Sequence, residues 1–136
     1  MSTFFNWENR YDIGVNAMND EHKTLIAHMN ALHEGSAKGL PLDAQLKLAG
    51  ELYQYVLKHF SDEEKYMESI KFPEFDVHKI IHKDLLSKLD EHVTKIKNDG
   101  VIGEEFFKFL RFWLSAHICG IDAKYGEHAK KTHQAK

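Results

Sequence analysis

Apolar positions recur at the three-and-four spacing of an α-helix in four stretches of the chain, with short polar breaks between them. The first stretch covers about 19–38 and ends at "KGLP", where Gly39 suits a left-handed cap and Pro41 cannot continue the helix. The second covers about 42–70 and stops before "KFP". The third covers about 74–98, starting just after Pro73 and ending at "NDG". The fourth covers about 104–125, with Gly126 as its expected stop. Residues 1–18, with Trp7 and Tyr11, read as an arm packed across these helices. No stretch alternates with the period of a strand. Four long helices joined by short loops predict an all-α fold: an up-down-up-down antiparallel four-helix bundle, one domain over 1–136.

The buried stripes of these helices are not wholly apolar. His22 opens the first, ahead of Leu25, Ile26, Met29 and Leu32. The second runs Leu52, Val56, His59, Phe60, Glu63, Met67. The third has His78 and His82 between Phe75 and Leu85, and the fourth has His117 after Leu110, Trp113 and Leu114. His22 and His78/His82 lie near helix starts, His59/Glu63 and His117 near helix ends. In an antiparallel bundle those four places are one end, within roughly two turns in depth at about 1.5 Å per residue. Asp122 follows His117 by five residues, about 140° around an ideal helix. Either its side chain reaches sideways, or the helix widens near Gly120 in a one-residue bulge.

Composition narrows the role without assigning one. The chain is 43% hydrophobic and 29% charged, and its net charge of −3 gives no basic footprint for nucleic acid. No window is apolar enough to enter a membrane, and no signal peptide opens the sequence. A single cysteine, Cys119, predicts a cytoplasmic protein without a disulfide. Ten histidines are the one oddity.

A lone histidine on an apolar face is more often a satisfied core residue than a ligand. Five imidazoles and a carboxylate at one level are another matter. Left unpaired, each would cost about 1–3 kcal/mol, more than a marginally stable domain can carry. A metal is the economical partner. The set exceeds one tetrahedral zinc and lacks the oxygen ligands of calcium or magnesium sites. Imidazole with carboxylate suits iron, manganese or copper, and a carboxylate can bridge two ions. Two ions with at most seven protein ligands leave a position open for a small molecule such as dioxygen. Because two carboxylates do not neutralise two divalent ions, reduced metal is favoured, and binding of dioxygen over its use as an oxidant.

The ordered series His22, "HFSDE" (His59, Glu63), "HKIIH" (His78, His82) and "HICGID" (His117, Asp122) resembles the hemerythrin family over nearly the whole chain. The resemblance includes the five-residue step, so it implies Asp122 as a seventh ligand. It implies two non-haem irons with an oxo or hydroxo bridge, one held by His78, His82 and His117, the other by His22 and His59. Glu63 and Asp122 would bridge them. Dioxygen would bind end-on at the five-coordinate iron as a peroxide-like adduct, in a pocket walled by Phe60, Trp113, Leu114 and Ile118. Glu21 stands where relatives often have glutamine, a difference to which the sequence attaches no consequence. Glu64 offers a further carboxylate but lies off the stripe. His28, His33, His92, His128 and His133 match no ligand position and read as surface or supporting residues. Cys119 is expected to face outwards as inert packing.

The function so implied is reversible dioxygen binding for carriage, storage or delivery, without turnover, by a cytoplasmic monomer. The alternatives are a di-iron oxidase or peroxidase, disfavoured by the scarcity of carboxylates, and a dioxygen or redox sensor signalling through an unidentified protein.

Overall fold

The computed structural model describes residues 5–100 and 102–131. The expected arm residues 1–4, and His133, lie outside the described residues. The helices are α1 (Asn16–Ala37), α2 (Leu42–Ser69), α3 (Phe75–Asp99) and α4 (Glu104–Ala116). A π turn (His117–Asp122) continues α4 and leads directly into α5 (Ala123–Lys131). The last three form one continuous element, and the whole is a four-helix bundle in which α1 packs along α2 and α2 along α3. There is no strand among the described residues, and no helix long and apolar enough to cross a membrane.

The turns between helices follow from local chemistry. After α1, Gly39 takes φ 71°, its amide donating to the Ser36 carbonyl while the Leu40 amide donates to Gly35. These are the two bonds of a Schellman cap, which Leu40 completes by packing over Gly35. α2 ends the same way, with Lys71 N–H to Glu68 O and Phe72 N–H to Met67 O, but its left-handed residue is Lys71 at φ 55°. α3 closes on Gly100 at φ 78°, as "NDG" suggests.

The arm over residues 5–15 is tied to α1 at two places. The Asn30 side chain pairs with both backbone groups of Phe5, at 2.8 Å each. Asn19 accepts from the Ile13 amide and donates to Asp12. Phe5, Tyr11, Ile13 and Val15 of the arm are buried in the core. Gly126 does not end the fourth helix, which runs on to Lys131. An added Cβ at Gly126 would collide with the Ile13 carbonyl oxygen. The glycine is there for the crossing of the arm, not for a helix stop.

Candidate metal centre

His22, His59, Glu63, His78, His82, His117 and Asp122 come together at one end of the bundle, none more than 6% exposed. Each stands where its helix stripe puts it, except Asp122. An α-helix would turn Ile121 towards His117 and carry Asp122 past it. The π turn adds one residue to the circuit, so Asp122 is fully buried beside His117 and Ile121 stays half exposed. Of the two geometries open from the sequence, the bulge is the one adopted.

The ligand-type atoms fall into two overlapping groups. Glu63, His78, His82, His117 and Asp122 form one; His22, His59, Glu63 and Asp122 form the other. Asp122 spans them: its Oδ1 lies 3.1 Å from His78 Nε2 and 3.0 Å from His117 Nε2, and its Oδ2 lies 3.0 Å from His22 Nε2. Glu63 Oε1 lies 3.2 Å from His82 Nε2 and 3.4 Å from His59 Nε2. These separations are those of neighbouring ligands on one ion, since two bonds of about 2.1 Å at right angles end about 3.0 Å apart.

Hydrogen bonding does not account for the cluster. The Nε2 atoms of His22, His78, His82 and His117, Glu63 Oε1 and both Asp122 oxygens are buried without an aligned partner among the described residues. Seven such atoms around one point leave lone pairs unused that a bound ion would take up. The donor set, imidazole nitrogen with two carboxylates, therefore fits a transition-metal site.

Without metal the charges hold one another. Burial pulls the His22 imidazolium down, but the Asp122 and Glu63 carboxylates outweigh it and raise His22 from 6.5 to about 9. Burial likewise lowers His82, and Glu63 and Glu64 turn the balance upwards. For Asp122, burial is overcome by His117, with His22 and His78, and its pKa falls well below the carboxylate range. Glu63 is lowered against both burial and the Asp122 charge, by His59, His22 and His82.

Three residues that the hydrophobic pattern left aside support the cluster. Glu21 Oε1 lies 2.7 Å from His59 Nδ1, and Glu64 Oε2 lies 3.0 Å from His82 Nδ1. Tyr125 donates its hydroxyl to Glu63 Oε2 at 2.5 Å, and its burial pushes the phenol well above its usual pKa, keeping it a donor. Phe60 stacks face to face on His82 with ring centroids 3.7 Å apart, and Trp113 meets Phe60 edge-on. Leu114 and Ile118 are buried in the core. The remaining described histidines lie outside the cluster: His28 against Tyr55, His33 against Phe107, His92 against Phe109, and His128 3.0 Å from the Ile70 carbonyl. Cys119 is half buried against the arm, its thiol 3.6 Å from the Arg10 carbonyl.

A family model described as the hemerythrin HHE cation binding domain matches residues 13–129. A hemerythrin-like protein of Naegleria gruberi is 31% identical over 121 residues, 89% of this chain and 90% of that protein. A bacteriohemerythrin of Stenotrophomonas maltophilia (strain R551-3) is 27% identical over 124 residues, 91% of this chain and 80% of that one. Among solved structures, wild-type hemerythrin superposes with a TM-score of 0.82 at 28% identity, covering 90% of this chain and 95% of that chain.

Proposed function

The chain belongs to the hemerythrin family, and on that premise we propose that it binds dioxygen reversibly at two non-haem irons with an oxo or hydroxo bridge. The observation that carries this reading is the inequality of the two ligand groups. Both share Glu63 and Asp122, but one has three histidines and the other two. His78, His82 and His117 would then hold one iron and His22 and His59 the other, whose smaller ligand set would leave room for dioxygen. Iron held there would supply the electrons that dioxygen takes up on binding and returns on leaving.

The protein's part is to hold and to exclude. Glu63 and Asp122 bridge the halves, Asp122 through a different oxygen to each side. Tyr125 holds Glu63 by Oε2. Phe60, Trp113, Leu114 and Ile118 wall the site with apolar surface, keeping out the water and protons that would carry dioxygen away as peroxide. The reading extends to a monomer in a reducing cytoplasm, where the lone thiol of Cys119 stays free.

The test is an optical spectrum of the reduced, iron-loaded protein before air, in air, and after the air is withdrawn. Charge-transfer bands that appear and then vanish are expected. Bands that persist, or steady consumption of a reductant, would replace the carrier by an oxidase or peroxidase.

A further inference from the structure

We propose that Glu21 and Glu64 are positioning residues whose negative charge sets the ferric–ferrous balance of the centre, each through one histidine, and that Lys58 moderates Glu21 from the surface. The inference rests on the di-iron reading above.

Each of the two imidazoles concerned is held from both sides. His59 Nδ1 faces Glu21 at 2.7 Å while its Nε2 faces Glu63 in the cluster, and His82 Nδ1 faces Glu64 at 3.0 Å while its Nε2 does likewise. A carboxylate at Nδ1 accepts only, so the ring donates outwards and keeps its Nε2 lone pair for the metal. The backing is selective, because His22 Nδ1 is buried without a partner among the described residues. It is also distributed, with one carboxylate for a histidine of each ligand group. Glu21 reaches from α1 to α2 and Glu64 from α2 to α3, so each clamps a helix pair across the site.

A neutral amide would accept the same hydrogen bond. What the carboxylate adds is charge, and its side chain is only 16% exposed at Glu21 and 28% at Glu64. An anion behind the ring makes its Nε2 a stronger donor and favours the more highly charged ferric ion. At Glu21 this charge is opposed. Lys58 Nζ lies 3.7 Å from its other oxygen and 2.7 Å from Asp62, with Lys58 itself 60% exposed. The half of the centre with two histidines is therefore the one whose redox balance the surface can reach.

The experiment is a potentiometric titration of the iron-loaded protein without dioxygen, so loss of reversible dioxygen binding would sink the functional reading and leave this one standing. Glu21→Gln and Glu64→Gln should load iron as the parent does and shift the equilibrium about tenfold towards ferrous, about 59 mV upwards for a one-electron step. Lys58→Met should shift it the other way, by less, and the shift should shrink as salt is added. Glu21→Ala and Glu64→Ala, which remove the acceptor, should weaken iron binding about 10–100-fold. Glutamine variants at the parent potential beside alanine variants that lose iron would reduce both residues to plain hydrogen-bond acceptors and overturn the proposal. So would a shift in one direction for all the charge variants, which would mean general loosening.

Discussion

Replacing Tyr125 with phenylalanine removes one oxygen atom and leaves the ring among Tyr66, Phe72 and His78. That oxygen gives the fully buried Glu63 its one well-aligned hydrogen bond among the described residues, since the imidazoles around Glu63 approach it without alignment. A hydrogen bond to a buried charge contributes about 1.5–3 kcal/mol. The metal-free protein should lose roughly 2 kcal/mol, which for a domain of this size lowers Tm by about 6–10 °C. With iron in place the charge of Glu63 is met by metal, and the loss should be nearer 1 kcal/mol. By linkage, iron then binds the folded variant more tightly than the folded parent, by about fivefold for a difference of 1 kcal/mol. Urea unfolding of both proteins, with and without iron, measures all four corners of this cycle. If the loaded variant loses as much as the metal-free one, the hydroxyl serves the assembled site, and the argument from an uncompensated carboxylate fails.

The pH dependence of the metal-free protein has a sign fixed by the cluster. His22 is raised to about 9, so its stabilisation is complete below pH 6.5 and is lost as pH climbs through 9; Glu63 and Asp122 are lowered, so theirs is complete above their ordinary 4.5 and 3.8 and is lost in acid. Urea midpoints should therefore fall between pH 6.5 and 9, while iron affinity rises over the same range as the His22 proton is displaced; a flat midpoint would refute this. Lys71→Gly should raise stability by about 1 kcal/mol by relieving the left-handed residue at φ 55°, read as a higher urea midpoint; no change would mean that Lys71 adopts this conformation without strain. Gly126→Ala, which in an unobstructed helix would stabilise, should instead cost about 1–3 kcal/mol because its Cβ meets the Ile13 carbonyl. A stabilised alanine variant would show that the arm yields easily.

The bundle and the meeting of six of the polar residues were legible because helical period and helix direction together specify face and height, whereas Asp122 joined them only through the resemblance. His59 and Glu63, or His78 and His82, can be placed by counting alone. The details that escaped do so for definable reasons. Glycine is written the same way whether it ends a helix or lets another strand of backbone cross it, so Gly126 reads as a stop. Glu21 and Glu64 sit off the buried stripes, and the length of a glutamate side chain lets it reach an imidazole that its Cα position does not face. Tyr125 looked like a terminus because the helix was expected to end there, whereas it is the residue that holds Glu63. At Asp122 the ideal helix left two geometries open, and only the backbone chooses between them.

The crossing of Ile13 over Gly126 joins the arm to α5, and around it Tyr11 reaches Ser115 while Arg10 lies against Cys119 in the π turn. Contacts so distant in sequence close only after the segments between them are ordered. On a ribosome the arm is made before α5, so its bonds to Asn19 and Asn30 of α1 precede its crossing of Gly126. The arm is thus held first by the helix that follows it and last by α5, and that last contact braces the turn that carries His117 and Asp122.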